Sequence, residues 1–374
     1  MIIYWSMILW VFLIYLVYSM THKEEIKLTD YNIQQGIQKK IPLFYAVLVF
    51  GYFIFWIGMR SGIADTFQYI STYKLISADF STAWSQIEWD GKNPGFDLFN
   101  ALFKCFISQD YHWWLMTIAI VCGVCLVIVF RKYSVNYFMS CFLFMTMITY
   151  TWMLNGMRQF IAVAILFLCC DWIKDGKFIK FLIAVLILST VHFTCIMMIP
   201  IYFVARLKPW SKKIVLFIFA IILLCVFAEP FFGELDNILS DTGYSGFTEQ
   251  FAEDDGVNPI RVLFYAIPPL IAFWKRNVLA AYYEKNRMLP IMINMSLITA
   301  ALYLVGVFTS GILIGRLPIY CEVYNLILMP YLLYVGFNKQ ERKIIMPVYV
   351  MVMLLFFYLQ RFPYYVSDFT GYVL

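Results

Sequence analysis

Residues 155–195 read NGMRQFIAVAILFLCCDWIKDGKFIKFLIAVLILSTVHFTC, which is two apolar runs joined by a short basic turn. Both runs are compatible with a hydrocarbon environment, yet Arg158 opens the first run and His192 closes the second. A charge within a membrane span costs at least ~2.5 kcal/mol, so such a side chain usually faces an internal cavity and carries function. We therefore expect Arg158 and His192 to face a polar recess inside a helical membrane protein.

The composition extends this pattern to the whole chain of 374 residues. Hydrophobic residues make up 63% of the chain and charged residues 14%, whereas soluble domains carry about 25% charged residues. The mean hydropathy is +0.76, and the apolar runs leave no room for a soluble catalytic domain. The sequence thus predicts an all-α fold, a polytopic transmembrane helical bundle in which residues 1–374 form a single integral membrane domain.

The sequence gives no sign of a cofactor, a metal or a nucleic-acid partner. Cys122 and Cys125 have the spacing of a redox motif but lie within an apolar run, where packing between helices is the simpler interpretation. The chain has 3 histidines, too few for a histidine-based metal cluster. The net charge of +5 is dispersed over many short loops, unlike the basic patch of a nucleic-acid-binding protein. We expect none of these three partners.

Apolar runs and loop charges together predict the membrane topology. Residues 1–20 lack the basic start and the cleavage site of a signal peptide, so we interpret them as a retained first span. Alternate connections hold 20 of the 28 lysines and arginines, and the positive-inside rule makes these connections cytoplasmic and both termini external. The further spans, about twelve in all, are predicted at 41–59, 111–130, 138–153, 159–173, 178–191, 193–205, 214–230, 259–274, 288–308, 317–336 and 344–360.

The two long connections fall on the predicted outer side. Residues 60–110 include a half-apolar piece at 95–107, which we interpret as a re-entrant or interfacial helix, and residues 231–258 contain 7 acidic residues and no basic one. The spans that meet at Arg158 and His192 are shorter than the ~20 residues that a bilayer requires. Their outer ends are therefore expected below the lipid surface, in a shared recess lined by protein or water.

Two arginines are candidate anion-binding residues. Arg158 follows an expected helix break at Asn155-Gly156, so the helix N-terminus adds to its positive charge and favours an anion such as pyrophosphate. The alternative is an arginine that snorkels to the lipid headgroups. Arg316 stands at the start of a later span and is interpreted as a second phosphate clamp. Its alternatives are a salt bridge to Glu322 or interfacial anchoring.

Two further residues are candidate general bases. His192 is surrounded by apolar residues, and its ordinary pKa near 6.5 leaves the neutral, proton-accepting form available. The alternative is a structural, hydrogen-bonded histidine. Asp65 and Tyr69 can share one helical face, which suits sugar binding or a catalytic base. An N-cap for the following helix is the alternative interpretation of Asp65.

Several short motifs follow one another on the predicted outer face. They are Gly62-x-x-Asp65-Thr66-x-x-Tyr69, Pro94-Gly95-Phe96, Arg158-Gln159-x-Ile161-Ala162, Val191-His192-Phe193-Thr194 and Gly315-Arg316-Leu317-x-x-Tyr320. At these residues the sequence resembles the EpsG-like branch of the Wzy-type polysaccharide polymerases, over most of its length. The chain departs from that pattern at Asn93, where such proteins often have Glu, so no acidic role is expected there.

The resemblance implies a reaction and a set of partners. A growing glycan would pass from undecaprenyl pyrophosphate to a sugar hydroxyl of the next lipid-linked repeat unit, on the outer side of a bacterial inner membrane. The product would be an O-antigen, a capsule or an exopolysaccharide, and the fold would be GT-C-like, as in the O-antigen ligases. The implied partners are the lipid-linked donor and acceptor, membrane lipid, a flippase and a chain-length regulator.

The resemblance also implies roles for individual residues. Arg158 and Arg316 would stabilise the leaving pyrophosphate, and His192 or Asp65 would deprotonate the acceptor hydroxyl. Because arginines can neutralise pyrophosphate directly, turnover is expected to be independent of metal ions. Further substrate contacts are expected from Arg60, Tyr69, Gln159 and Tyr320.

Other membrane functions stay open at this point. Nucleotide sugars are cytoplasmic and no nucleotide-binding loop is visible, so an outward-facing glycosyltransferase needs a lipid-linked donor, as would a glycan ligase. A flippase or other transporter would be marked by an inverted repeat and by charges on both sides of the midplane, and neither is seen. A membrane O-acyltransferase could use one histidine, but its donor is cytoplasmic whereas His192 is expected outside.

Overall fold

The computed structural model describes residues 2–23, 32–33, 40–227, 256–307, 314–360 and 364–373. Within these ranges the chain is about 75% helical with almost no strand, which confirms the predicted all-α fold. The predicted outer connection at 231–258 lies outside the described residues except for 256–258. The α-helices are α1 (Ile2–Thr21), α2 (Leu43–Gly58), α3 (Thr66–Leu75), α4 (Phe80–Ser85), α5 (Pro94–Phe106), α6 (Tyr111–Tyr133), α7 (Tyr137–Thr146), α8 (Thr151–Leu154), α9 (Met157–Leu168), α10 (Cys170–Lys174), α11 (Phe178–Ser189), α12 (Met198–Ala205), α13 (Lys212–Val226), α14 (Pro259–Trp274), α15 (Arg276–Ala280), α16 (Leu289–Val307), α17 (Ile319–Glu322), α18 (Asn325–Val335) and α19 (Lys339–Leu359).

Helix length separates full spans from short ones. Among the described residues, α1, α6, α16 and α19 are long and apolar enough to cross a membrane unaided, and α17 with α18 passes the same test as a pair bent by 52°. The helices that lead to the candidate site are shorter, because α9 and α11 have 12 residues each. Such a helix rises about 18 Å, well short of the ~30 Å hydrocarbon core. The helices beside Arg158 and His192 are therefore short, as predicted.

Helix α6 is central to the packing that positions the site. It packs against α2 and against α9, while α14 packs against α16 elsewhere in the bundle. A Cβ at Gly123 in α6 would lie 2.5 Å from the side chain of Ile54, and a Cβ at Gly58 would lie 2.7 Å from that of Met116. Small residues allow helices to approach closely in this way in membrane proteins. The ends of α2, α6 and α9 are thereby fixed relative to one another.

Several predicted spans are interrupted helices. The span predicted at 138–153 consists of α7 and α8, separated near Ile148, whose φ is 67°. A left-handed conformation is unfavourable for a β-branched residue, so local propensity could not predict this break. The break expected at Asn155-Gly156 is confirmed, since α8 ends at Leu154 and α9 begins at Met157. A 3-10 turn at Phe193–Met197 likewise precedes α12.

The connection at 60–110 folds into α3, α4 and α5 and packs against the beginning of α6. The half-apolar piece predicted at 95–107 is the helix α5. Asn100 in α5 accepts a hydrogen bond of 3.0 Å from Trp114 Nε1, and the Tyr73 ring of α3 stacks on Trp114. Lys104 Nζ donates to the carbonyls of Tyr73 and Lys74 in the last turn of α3. These contacts give α5 a fixed position beside the bundle.

A two-stranded hairpin near the C-terminus fastens the residues that follow α2. Strands β1 (Val366–Ser367) and β2 (Tyr372–Val373) pair antiparallel. The carbonyl of Val366 accepts from the Ser61 N–H at 2.8 Å, and Asp368 accepts a hydrogen bond from Tyr111 at the start of α6. The sequence did not predict this hairpin, because strands of 2 residues carry no detectable periodicity.

The far end of α6 carries a separate polar cluster. Asp171 of α10 accepts hydrogen bonds from Lys132, Tyr133 and Lys174. A cavity of about 340 Å³ lies at the same end and is lined in part by Tyr133, Lys174 and Arg287. Since α6 begins at Tyr111 on the side of the candidate site and ends at Tyr133, this cluster and this cavity are remote from Arg158.

Candidate active site

Arg158, at the start of α9, lies against two aromatic rings. Its Cζ lies 5.5 Å from the ring centroid of Tyr69 and 6.0 Å from that of Phe96. Ring faces attract a cation electrostatically, so the two rings fix the guanidinium without neutralising it. The Nε atom is buried and has no hydrogen-bond partner among the described residues. Arg158 therefore retains donor capacity for a ligand.

Asn93 connects Arg158 to the bend that carries His192. With the amide of Asn93 assigned so that its oxygen faces the donor and its nitrogen the acceptors, the oxygen accepts from Arg158 Nη1 at 2.9 Å and the nitrogen donates to the carbonyl of Val191 at 3.0 Å. The N–H of Gly95 donates to the carbonyl of Thr190 at 2.9 Å, which fastens the same turn to the same bend. The turn at residues 93–95 and the bend at residues 190–192, which are far apart in sequence, are thus in direct contact.

His192 forms part of a small hydrogen-bonded group. Its Nδ1 lies 2.8 Å from Thr194 Oγ1, which lies 3.1 Å from the hydroxyl oxygen of Tyr320. His192 lies in the connection between α11 and the 3-10 turn, outside the helices. Burial lowers its pKa to about 4, with further lowering from the positive charges of Arg158 and Arg316. The imidazole is therefore neutral at ordinary pH and able to accept a proton.

Arg316 acts on His192 through its charge. Its carbonyl accepts from Nε2 of the buried Gln159 at 2.9 Å, so α9 holds the turn that carries it, while its side chain is exposed. Glu322, by contrast, is buried and only 1% exposed. Its carboxylate accepts hydrogen bonds from Thr149 Oγ1 at 3.0 Å and from the hydroxyl of Tyr303 at 2.6 Å. In the described part of the chain no ion pair joins Arg316 to Glu322, which contradicts that alternative interpretation of Arg316.

Arg60 and Asp65 lie beside this group in different environments. Arg60 is 1% exposed, and its guanidinium donates to Thr66 Oγ1, to the carbonyl of Ile57 and to Sδ of Met157. These hydrogen bonds join the end of α2 to α3 and α9, so Arg60 stabilises the packing of the helices that carry the site. Asp65 is exposed and occupies the N-cap position of α3, where its side chain makes no capping hydrogen bond.

Two residues near Arg158 were given no role in the site from the sequence. Asn93 was given no acidic role, and its hydrogen bonds to residues distant in sequence have no local signal. Asp97 lies in the first turn of α5, where burial raises its pKa and the positive charge of Arg158 opposes that rise. An acidic residue in the first turn of a helix is ordinarily explained by its favourable interaction with the helix dipole. The sequence therefore gave no separate signal that Asp97 lies near Arg158.

Chemically, the arrangement combines a partly unsatisfied guanidinium, a second arginine and a neutral imidazole. Guanidinium groups bind phosphate oxygens in planar two-point contacts, and a neutral imidazole can take up a proton. Among the residues that the structure describes, no group of three or more His, Cys, Asp or Glu side chains is arranged to hold a metal ion.

Comparison with known proteins identifies the family. Neither the curated proteins nor the solved structures contain a match to this chain. The sequence model of the EpsG family matches residues 43–372, a range that includes Arg158, His192, Arg316 and every other residue of the site described above. The match covers well over half of the chain and extends into the C-terminal hairpin. The chain belongs to the EpsG family.

Proposed function

We propose that this protein polymerises undecaprenyl-pyrophosphate-linked oligosaccharide repeat units at the extracytoplasmic face of the membrane. Membership of the EpsG family supports a role in polysaccharide polymerisation in general. The observation that carries the specific proposal is the link through Asn93 that sets Arg158 beside the His192 bend. A transfer from a pyrophosphate-linked donor to a sugar hydroxyl needs an anion-binding group next to a proton acceptor, and this link supplies that pair.

In the proposed reaction, the hydroxyl oxygen of the acceptor sugar attacks the anomeric carbon of the donor glycan. The bond from that carbon to the pyrophosphate oxygen breaks, and its electron pair leaves with undecaprenyl pyrophosphate. Arg158 and Arg316 stabilise the negative charge that develops on the leaving group, and the hydroxyl proton passes to His192. The lengthened glycan then stays attached to the lipid of the acceptor.

His192 is the proposed base because its hydrogen bonding leaves one nitrogen for the substrate. When Nδ1–H donates to Thr194 Oγ1, Nε2 carries the lone pair, and Nε2 has no protein partner among the described residues. Tyr320 and Gln159 support this arrangement, the first through Thr194 and the second through the carbonyl of Arg316. Asp65, exposed near Tyr69, is the alternative base.

We also infer a GT-C-like membrane architecture of about twelve spans. The termini and Arg158 would lie outside the cytoplasmic membrane of a bacterium, and the basic far end of α6 would lie inside. Single cysteines introduced at Lys92 and Lys177 test this topology in intact cells with an impermeant thiol reagent. Labelling at Lys92 alone is expected. Labelling at Lys177 and not at Lys92 would overturn the topology and the proposed location of the reaction.

Deletion of the protein from its host tests the function itself. Loss of a polymerase should leave surface lipid capped with a single repeat unit, whereas loss of a flippase should remove the surface glycan entirely. A glycan ligase would leave polymer on its lipid carrier, unattached to its final acceptor. The glycan length profile of the deletion strain therefore separates the proposed function from the transport and ligase alternatives.

A further inference from the structure

We propose that His112, at the start of α6, is a positioning residue that holds the C-terminal hairpin on the bundle and thereby fixes residues 59–65 of the candidate site. His112 does this as a cation between the carboxylates of Asp110 and Asp368. No motif in the sequence includes any of these three residues. The hold on the hairpin is a property of the fold itself, and its effect on turnover rests on the proposed function.

Both ring nitrogens of His112 face a carboxylate oxygen. Nδ1 lies 2.7 Å from Oδ1 of Asp110, and Nε2 lies 2.9 Å from Oδ1 of Asp368. An ionised carboxylate only accepts hydrogen bonds, and a neutral imidazole has a single N–H. Both contacts can therefore be hydrogen bonds only when the ring is protonated and positively charged. The imidazolium then joins the residue before α6 to the hairpin.

The surroundings of His112 favour this charged form. Burial alone would lower the pKa of His112, but the hydrogen bonds and negative charges of Asp368 and Asp110 outweigh burial, so the pKa is raised. Burial opposes ionisation of Asp368 as well, yet hydrogen bonds from Tyr111 and His112 lower the pKa of Asp368 to about 2. The Tyr111 ring stacks on His112, and Lys74 Nζ lies 4.9 Å from the centroid of that Tyr111 ring. The bridge is therefore present at low pH and is lost as pH rises through the raised pKa of His112.

The exposure of the three side chains decides which effect to measure. The side chain of His112 is 16% exposed, whereas those of Asp110 and Asp368 are 52% and 55% exposed. An isolated ion pair of such exposure contributes little to global stability. Here one cation bridges two carboxylates, and Tyr111 donates to one of them. We therefore expect the bridge to control the local position of the hairpin rather than the unfolding of the whole bundle.

The hairpin transmits the position of Asp368 to the segment that follows α2. The carbonyl of Val366 accepts from the N–H groups of Ser61 at 2.8 Å and Gly62 at 3.3 Å. The N–H of Asp368 donates to Ser61 Oγ at 3.0 Å. A Cβ at Gly62 would lie 3.2 Å from Cβ of Val366, so strand and segment are in close contact. Arg60, which joins α2 to α3 and α9, directly precedes Ser61, so movement of the hairpin would remove one support of the candidate site.

A buried position in the hairpin provides the test. Ser367 of β1 is 0% exposed, so Ser367→Cys introduces a thiol that a reagent reaches when the hairpin moves away from the bundle. In full-length purified protein at about pH 6, its modification is followed by peptide mass spectrometry. We expect His112→Gln to accelerate modification at least about fivefold, because a neutral side chain cannot hold both carboxylates by charge. His22→Gln is the matched control and should have no effect, since in the described part of the chain the His22 ring contacts Thr21 and Tyr18 rather than a carboxylate.

The pH dependence gives a readout that a purely structural role would not change. His112→Arg supplies a cation at every pH, and comparison with it at each pH cancels the pH dependence of thiol reactivity itself. Relative to His112→Arg, the protein with His112 should be modified faster at Ser367→Cys as pH rises from about 6 to about 9. Should His112→Arg not fold, Asp368→Asn replaces it: this variant keeps an acceptor for Tyr111 but lacks the charge, so its modification should be fast even at low pH.

The outcomes separate this inference from the proposed function. Equal modification rates with His112 and with His112→Gln would overturn the inference, whatever the activity. If modification responds as expected, elongation of lipid-linked repeats by the native protein should fall on the alkaline side relative to His112→Arg. Parallel pH profiles of elongation for the two proteins would refute the positioning role. If Arg158→Ala leaves the affinity for a lipid-pyrophosphate analogue unchanged, the proposed donor site is wrong, and the result of the modification experiment is unaffected.

Discussion

Gly95 offers the strictest test of the way in which the site is assembled. A Cβ at this position would lie 2.1 Å from Oγ1, 2.9 Å from Cβ and 3.1 Å from the backbone carbon of Thr190. Ordinary contacts begin at 3.4 Å, so Gly95→Ala is more than 1 Å short of the space it needs. Rotation of Thr190 cannot relieve the contacts with its Cβ and its backbone. The turn must therefore move away from the His192 bend.

The movement should disturb catalysis more than folding. Overpacking of this kind typically costs about 1–3 kcal/mol of stability, whereas a displacement of about 1 Å in a positioning element can lower turnover about 10²-fold. The hydrogen bond from Gly95 N–H to Thr190 and the link from Asn93 to Val191 would both lengthen. We expect kcat/KM for polymerisation of the lipid-linked repeat to fall about 10²-fold in Gly95→Ala while the protein still purifies as a folded species.

Two controls make this prediction specific. Gly51→Ala in α2 should be close to neutral, because a Cβ there meets nothing within 4 Å. Thr190→Gly removes the two side-chain atoms closest to the new Cβ and should restore part of the activity of Gly95→Ala. The assay is chain elongation by protein reconstituted in lipid bilayers, with thermal unfolding followed in parallel. Near-normal kcat/KM in Gly95→Ala would refute the reasoning that this turn positions the site.

The other predictions concern single groups of the same candidate site. Arg158→Lys should be nearly as damaging to kcat/KM as Arg158→Ala, because lysine cannot make a planar two-point contact with pyrophosphate; near-normal activity of Arg158→Lys would contradict that contact. Burial and the charges of Arg158 and Arg316 lower the pKa of His192 to about 4, so activity that depends on the neutral imidazole should persist as pH falls until it is lost near pH 4. An acidic limb of kcat/KM near the ordinary pKa of ~6.5 would count against this environment. Chelator should leave polymerisation by the purified protein intact, and loss of activity that added divalent ion restores would point to acidic residues as metal ligands.

The main outline of the fold could be predicted because it depends on local signals. Apolar runs predict helices, and the Asn155-Gly156 pair predicts the break that precedes Arg158. The short lengths of the helices beside Arg158 and His192 were also evident from the sequence. These features follow from propensity and from the fixed rise of a helix.

The remainder depends on contacts between segments that are distant in sequence. The break near Ile148 places a β-branched residue in a left-handed conformation, which only tertiary packing can impose. Arg60 was expected to contact substrate, but its charge is enclosed among partners from α2, α3 and α9. Glu322 was a conceivable partner of Arg316, yet it accepts from Tyr303. Each outcome is decided by neighbours that no local pattern encodes.

Asn93 illustrates the same limit within the site. Before Pro94 at the start of a helix, an asparagine is readily explained as a local turn or cap residue. In the structure its side chain makes no capping bond to α5 and is directed to Arg158 and Val191 instead. A residue that departs from a motif can therefore take part in the site through a different set of contacts.

The central claim is that Arg158 binds the leaving pyrophosphate and His192 takes the proton, and His192→Ala tests it most directly. Purified His192→Ala protein would be measured for binding of a lipid-pyrophosphate analogue and for elongation of lipid-linked repeats. We expect turnover to fall about 10²- to 10⁴-fold while affinity for the analogue is retained, in contrast to Arg158→Ala, whose affinity should fall. Near-normal elongation by His192→Ala, with elongation abolished in a folded, donor-binding Asp65→Asn variant, would contradict the claim and make Asp65 the base.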